Sequence, residues 1–285
     1  MKRATLLALV VALAGCGRSR AISATNVDSG SPDESVDAAA SDGVPLLPVP
    51  PGCENVQFSG SIGTSFNQKD ATFGSALQDA LRWAQKGQRV WLAVRRALDT
   101  TGFGCFDGLA EGVGFEDCSA PLHVTVLPKG IVAVQTELSC TVADISGVSG
   151  VPSVLVEDAS LVTDFSSLKG ASDVVIQGNV SLDLIAPYVL DASSVLLRVN
   201  ATSLAPLNNA KADHLWIEAK GLHSLADYTP LPTLTCFAIY MDPSATVEES
   251  SAIYSLCTAT RSGLQCPDYN CLTACWVGKP PCEGS

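Results

Sequence analysis

Apolar residues recur at a nearly constant interval in the middle of the chain. Short runs of branched apolar residues, bounded by turn-forming residues, are typical of β-strands. The first residues of these runs lie 20 to 21 positions apart, and Val134 lies 20 positions before the first of them. The pattern therefore predicts one strand per period. The runs occupy 154–156, 174–176, 195–197, 215–217 and 236–239.

A second apolar column follows the predicted strands in the same register. Two columns that keep one register indicate successive coils, each burying its apolar side chains against its neighbours, as in a β-solenoid. An antiparallel β-sandwich is the alternative, but it favours turns about 8 to 12 residues apart. The column consists of Cys140, Leu161, Leu182, Leu204 and Leu225, and Leu168, Ile185, Leu207 and Leu231 extend the pattern.

Two stretches of this region resemble the leucine-rich repeat, and more closely the repeat of receptor L-domains. They are Ile-Gln-Gly-Asn-Val-Ser-Leu at 176–182 and Leu-Arg-Val-Asn at 197–200, which Leu204 follows. In that family an Asn side chain turns inward after the strand and satisfies backbone groups at the bend, because buried peptide groups require partners. The resemblance implies this role for Asn179 and Asn200.

The resemblance is partial, because the matching places in the first and fourth periods hold Ala159 and Ala219 or Lys220. The predicted fold class is mainly β with minor α. It is an irregular solenoid of the leucine-rich-repeat or receptor L-domain kind over 123–242, with a disulfide-rich C-terminal cap.

Residues 53–122 predict an N-terminal α/β part of the same globular domain. Phe73, Leu77 and Leu81 are spaced by four, and Gly87 supplies a stop, so 73–86 predicts an amphipathic helix. The β-forming segment 89–94 predicts a strand, and the glycine-rich passage that follows predicts a loop. A disulfide between Cys105 and Cys118 is one possible pairing there.

The periodicity stops after Asp242, and five cysteines crowd into the last 29 residues. The end of a solenoid exposes an apolar coil and needs a cap, so 243–285 predicts a cap stapled by disulfides. A separate cysteine-rich recognition module is the alternative.

The N-terminus predicts a lipoprotein signal peptide. Lys2 and Arg3 precede an apolar stretch, 4–14, that is about half the roughly 20 residues of a membrane-spanning helix. The stretch closes on Leu-Ala-Gly-Cys, which resembles the bacterial lipobox and implies cleavage after 1–15 and lipid on Cys16. An ordinary secretory signal with an incidental cysteine is the alternative.

The segment 16–52 predicts a disordered tether, because Ser, Asp, Ala, Gly and Pro dominate it and aromatic residues are absent. Gly17 is not the Asp that usually signals inner-membrane retention in enterobacteria. We therefore expect the chain in the bacterial cell envelope, anchored to the outer membrane through lipid and facing the periplasm or the cell exterior.

The cysteine count agrees with export. Ten of the 11 cysteines remain after Cys16 is assigned to lipid, and an even number in an exported chain predicts structural disulfides. The spacings lack the paired knuckles of zinc sites, so no metal or other cofactor is predicted. The disulfide candidates are Cys53, Cys105, Cys118, Cys140, Cys236, Cys257, Cys266, Cys271, Cys275 and Cys282.

The net charge and a search for known motifs narrow the classes of function that the chain can have. The net charge of −12, without a basic cluster, argues against nucleic-acid binding. Neither a Gly-x-Ser-x-Gly elbow nor a phosphate loop occurs. An enzyme remains the runner-up, as a carbohydrate-active β-helix that uses acidic side chains on its coils. Its candidates are Glu157, Asp158, Asp173, Asp183 and Glu218.

The predicted function is therefore noncatalytic, namely binding, adhesion or a structural role in the envelope. Glu157, Gln177, Arg198 and Glu218 occupy comparable places in successive periods and predict a polar ribbon that meets a protein or a glycan. The alternative is that these residues simply form the solvent-exposed face of the sheet. Exposed aromatic side chains would favour the binder, and clustered carboxylates the enzyme.

Overall fold

The computed structural model describes residues 47–65, 71–229, 231, 234 and 236–240. These residues form a mainly β structure with two α-helices. The helices are α1 (Phe73–Gln85) and α2 (Leu182–Val189). The strands are β1 (Ser61–Thr64), β2 (Val90–Arg95), β3 (Ala110–Glu116), β4 (Leu122–His123), β5 (Ala133–Thr136), β6 (Val142–Asp144), β7 (Ser153–Val156), β8 (Asp173–Ser181), β9 (Ser194–Asn200), β10 (His214–Lys220) and β11 (Cys236–Tyr240).

Nine of these strands form one large mixed sheet in the order β1-β2-β3-β5-β7-β8-β9-β10-β11, and β4 pairs with β6 in a small second sheet. Only the β1–β2 pair of the large sheet is antiparallel. Every other neighbouring pair, from β2 to β11, is parallel. Parallel pairing excludes the antiparallel sandwich for this part of the chain.

The register of the sheet follows the period of the sequence. From β5 to β10, the first apolar residue of each predicted run lies opposite the first of the next run. Leu215 of β10 lies opposite Phe237 and not opposite Cys236, the predicted first residue of the last run. The last run is therefore shifted by one residue in the register. The sheet also continues across the predicted boundary at 122, because β3 pairs with β5.

Alternation along the strands places the core on one face of the sheet. In β7, Val154 and Val156 are buried, whereas Ser153 and Leu155, which alternate with them, are half-buried. The buried column predicted to follow the strands is confirmed at Cys140, Leu182, Leu204 and Leu225, each at most 1% exposed.

Leu161 is the exception in that column. It is 50% exposed, and Val162 is buried in its place. The Val162 amide closes a tight turn by donating to the Ala159 carbonyl at 2.9 Å, and this turn moves the inward position along by one residue.

Short turns recur between the strands. The 3-10 turns Ser146–Val148 and Ser166–Leu168 are 20 residues apart. In each, an aspartate two residues earlier accepts a hydrogen bond from the first amide, at 2.7 Å for Asp144 and 2.8 Å for Asp164. A further 3-10 turn of this series is Ala205–Leu207, and α2 occupies the period between it and Ser166–Leu168.

Helix α1 confirms the predicted helix 73–86 to within one residue. The Thr72 hydroxyl caps it by accepting from the Ser75 amide, and Phe73, Leu77 and Leu81 are buried. Strand β2 begins one residue later than predicted.

The glycine-rich passage between Cys105 and Cys118 was predicted as loop, and this was wrong. It contains β3, a full member of the large sheet. The pairing of Cys105 with Cys118, one of those left open by the sequence, does not occur, because the disulfides join Cys53 to Cys105 and Cys118 to Cys140. Strand β3 separates Cys105 from Cys118 and carries each toward a different partner.

Several predictions lie outside the described residues. They are the signal peptide 1–15, lipidation at Cys16, most of the tether and the cap 243–285 with Cys257, Cys266, Cys271, Cys275 and Cys282. The side chain of Cys236, a further disulfide candidate, also lies outside the described part. Neither described helix is long and apolar enough to cross a membrane.

Candidate binding face and polar pocket

The face of the large sheet opposite the core, here called the outer face, carries an apolar row. Leu155, Val175, Leu196 and Trp216 are successive register partners on β7, β8, β9 and β10. They alternate with the buried core residues of the same strands and therefore point to the opposite side. Leu196 is buried and the other three are half-buried.

A polar row, defined as Glu157, Gln177, Arg198 and Glu218, follows two residues after the apolar row. Gln177, Arg198 and Glu218 are register partners, which confirms the alignment that the sequence predicted for them. The Arg198 guanidinium joins the three, because Nε donates to Glu218 Oε2 at 2.6 Å and Nη1 donates to Gln177 Oε1 at 3.2 Å.

Two members of the polar row are unexpectedly buried. Glu157 is 6% exposed and Gln177 is 3% exposed, although polar side chains on an open sheet face are normally wet. The interpretation of the row as a solvated surface therefore fails at these two positions. Buried polar groups cost free energy unless they are satisfied, so their presence calls for partners.

The environment of Glu157 favours its neutral form. Burial raises the pKa of its carboxyl above the ordinary value of 4.5, and the like charge of Glu137 raises it further. A hydrogen bond from the Leu138 backbone and the positive charge of Arg198 oppose the shift.

Asp158, the next residue, behaves in the opposite way. Burial alone raises its pKa, but hydrogen bonds to its carboxylate from Thr141 and Ser160 outweigh that effect and lower it. Thr141 Oγ1 donates to Oδ2 at 2.7 Å, and the Ser160 amide donates to Oδ1 at 3.2 Å. The two adjacent carboxyl groups thus differ in protonation tendency.

These residues surround an open pocket of about 280 Å³, here called the polar pocket. Its wall holds ionised groups of both signs, because the Asp158 carboxylate and the Lys220 ammonium both line it and Arg198 is paired with Glu218. The Gln177 side chain lines it, and its amide nitrogen donates to none of the described residues. The polar residues of its wall are Glu157, Asp158, Gln177, Asn179, Arg198 and Lys220.

Gly178 gives the pocket its shape, because its backbone has a φ of +150°, which residues with a side chain rarely adopt. A Cβ atom at this position would lie 2.9 Å from the Ala159 nitrogen and 3.0 Å from the Ser160 nitrogen. The close approach of two backbone segments therefore requires glycine here.

The two predicted inward-facing asparagines do not lie in the core. Asn179 is exposed and Asn200 is half-buried, and Asn200 Nδ2 donates to Asn179 Oδ1 at 2.7 Å. The expected inward role is wrong for Asn179. At this bend the backbone N–H of Asn179 donates to the Ser160 hydroxyl at 2.9 Å, so a serine side chain and backbone turns satisfy the bend instead.

Of the five acidic candidates for an enzyme, only Glu157 and Asp158 line the pocket. Asp173 begins β8, at the opposite end of that strand, and Asp183 lies in the first turn of α2. Glu218 is paired with Arg198. The structure brings one adjacent pair into the pocket wall, and the other three are not part of that wall.

The aromatic ring of Trp91, in the predicted strand 89–94, lies flat on the outer face. A Cβ atom at Gly112 would meet the benzo edge of the Trp91 indole, and one at Gly114 would lie 3.1 Å from its Nε1. The ring therefore covers both glycines, with the Gln135 amide beside it over Gly114. The alternation Gly-x-Gly in a strand was the signal available in the sequence.

The remaining tryptophans have separate environments. Trp216 belongs to the apolar row, and the Trp83 ring lies 4.4 Å from the Lys86 ammonium. Trp276 lies outside the described residues. Among the described residues there is no group of three or more His, Cys, Asp and Glu side chains that could hold a metal ion.

Comparisons with known proteins give no match to a family model, to a curated protein or to a solved structure. Function must therefore be argued from the geometry of the outer face.

Proposed function

We propose that this protein is a lipid-anchored envelope lipoprotein that binds an envelope component noncatalytically through the outer face of its sheet. The observation that carries the binding role is the polar pocket with its buried Glu157 and Gln177. Buried polar groups that line an open pocket are typical of binding sites, where they fix the orientation of a ligand.

The proposed architecture is an irregular solenoid of the leucine-rich-repeat kind. Its support is the parallel pairing of strands 20 to 21 residues apart and the recurring 3-10 turns on the return path. In such an architecture each coil packs only on its neighbours, and one long face stays available for ligands. The outer face with its apolar and polar rows fits that description.

The proposed anchor is lipid on Cys16, and it is supported by the lipobox-like sequence at 13–16. We would express the full chain in a Gram-negative bacterium fed an alkyne analogue of palmitate and separate the membrane fractions. We expect label on the wild type in the outer membrane and none on Cys16→Ser. Ser19→Ala, three residues away, is the matched control and should keep the label. Label that survives in Cys16→Ser would contradict the anchor.

The binding role is tested separately with the mature chain, residues 16–285, which carries Cys16→Ser and therefore has no lipid. We would measure its co-sedimentation with purified envelopes of the expressing bacterium. We expect saturable binding that falls roughly tenfold or more in Arg198→Ala, because Arg198 organises the polar row. Arg82→Ala, an exposed arginine on α1, is the matched control. Binding that is not saturable, or that ignores Arg198, would refute the role.

A glycan-acting enzyme is the second candidate, and the raised pKa of Glu157 favours it. A general acid must be protonated near neutral pH, and burial of a carboxyl group is a common way to achieve this. Under this hypothesis Glu157→Gln abolishes the release of reducing ends from a bound glycan and leaves binding intact. Absence of any product from a glycan that binds would leave the noncatalytic role.

A further inference from the structure

The polar pocket combines hydrogen-bond donors and acceptors of both charges in a small space. Glu157 and Asp158 supply acceptors, and Arg198 and Lys220 supply donors. This local mixture of charges stands out in a chain whose net charge is −12. An ion of either sign would meet a like charge in the pocket, whereas an uncharged ligand would not.

We propose, on the basis of the binding role above, that the polar pocket takes one ring of an uncharged saccharide. A sugar hydroxyl both donates and accepts, so neighbouring hydroxyls satisfy a carboxylate and a cationic or amide donor together. The volume of about 280 Å³ lies just below the range of pockets for drug-sized ligands and suits a single ring.

The buried amide of Gln177 strengthens this assignment. Its oxygen accepts from Arg198, and its nitrogen is left to the pocket. An apolar side chain in the pocket would leave that nitrogen without a partner, and an unsatisfied buried amide costs free energy. A hydroxylated ligand removes this cost, so the pocket selects against apolar peptides.

The apolar row beside the pocket suits the rest of a sugar chain. Trp216 lies on β10, two residues before Glu218 and on the same face. The C–H face of a pyranose packs well on an aromatic or aliphatic surface while its hydroxyls remain hydrogen-bonded at the edge. The parallel course of an apolar row and a polar row therefore matches the two kinds of surface on a saccharide.

Calorimetry on the full mature chain carrying Cys16→Ser tests the proposal with matched pairs of oligosaccharides. One pair is β-1,4-mannohexaose and the mannuronate hexamer, which differ by carboxylates. The other is the N-acetylglucosamine hexamer and the glucosamine hexamer at pH 6, in which ammonium groups replace the acetamido groups. We expect a neutral member to bind at least about tenfold more tightly than its charged counterpart, since one repelled charge is worth about that factor.

Two variants locate the binding. Gln177→Leu keeps the side-chain volume and removes the amide, and we expect roughly a tenfold loss of affinity for the neutral hexamer. Lys220→Ala changes an exposed wall residue without a folding risk and should also weaken binding. The control Arg82→Ala should not weaken binding. If Gln177→Leu does not fold, Lys220→Ala decides the location.

Three results would overturn the saccharide assignment. They are no binding of either neutral hexamer, tighter binding of a charged hexamer, and neutral binding that neither pocket variant weakens. Envelope co-sedimentation that depends on Arg198 would then still support the binding role with another ligand. Loss of both saccharide and envelope binding would refute the two proposals together.

Discussion

Substitution of Gly112 by alanine should lift the Trp91 ring from the outer face. The added methyl carbon would overlap ring atoms Cζ3 and Cε3 and lie 2.9 Å from Cη2. Apolar carbons pack at about 3.5–4.0 Å, so the ring must move by roughly 1 Å or more. The backbone at Gly112 has no such freedom, because it is paired with Trp91 on β2 and with Ala133 on β5.

We expect Gly112→Ala to lower the free energy of unfolding by about 1–3 kcal/mol, the usual cost of overpacking. Urea unfolding followed by tryptophan fluorescence measures this loss, and the emission should also shift as the ring becomes wetter. Gly74→Ala is the matched control, because nothing lies within 4 Å of a Cβ there and the residue is in α1. It should stabilise the chain by up to about 1 kcal/mol.

A double-mutant cycle tests the cause of that loss. If the clash with the ring is responsible, Gly112→Ala should cost almost nothing in a Trp91→Ala background, where no ring is left to displace. The coupling energy should then equal most of the single-mutant loss. Equal losses in both backgrounds would show that the ring does not cause the effect and would refute the flat placement of Trp91 on β3.

Three further outcomes follow from the structure. Replacing Cys118 and Cys140 together by serine opens a bridge of sequence separation 22 and should cost about 3 kcal/mol in urea unfolding, by the chain-entropy estimate. Gly178→Ala forces a Cβ against the Ala159 backbone and should cost about 1–3 kcal/mol, with weaker binding at the pocket. Because burial raises the folded pKa of Glu157, its stabilising contribution is full below the ordinary pKa of 4.5 and is lost as pH rises through the raised value. Wild type should therefore lose stability relative to Glu157→Gln as pH rises above 4.5, and a difference that is constant with pH would contradict the burial of the carboxyl group.

The periodic part of the fold was predictable because burial on one sheet face imposes the same apolar spacing on every strand. For that reason Val154 and Val174, the first residues of two successive predicted runs, are register partners on β7 and β8. Strand β3 was missed because Gly112 and Gly114 give it a loop-like composition. Its outer face is filled by the Trp91 ring from the neighbouring strand, and no local pattern reveals that contact.

The pairing of the disulfides and the geometry of the turns are likewise not revealed by local sequence patterns. Cys118 reaches Cys140 because the chain passes through β4 and β5 between them, and sequence spacing alone does not fix a pairing. Leu161 and Val162 are both apolar neighbours, and the choice between them depends on a single turn hydrogen bond to Ala159. One residue of turn geometry thus decides which side chain is buried.

The sequence predicts that the residues of the polar row lie side by side, but it does not predict the pocket that they line. Equal spacing places Gln177, Arg198 and Glu218 side by side, because register partners in a parallel sheet keep the period of the chain. The burial of Glu157 depends on residues that pack around it from neighbouring periods, among them Leu138. That packing is a property of the assembled sheet.

The position of the pocket along the row has an electrostatic reason. At β2 and β3, Arg95 pairs with its register partner Glu116 at 3.1 Å, and at β9 and β10, Arg198 pairs with Glu218 at 2.6 Å. Between these two ion pairs, Glu157 has the uncharged Gln177 as its next neighbour in the polar row. Ion pairs therefore satisfy the charges of the row on both sides, and the buried polar groups between them, Glu157 and Gln177, are left to a hydroxylated ligand where the pocket opens.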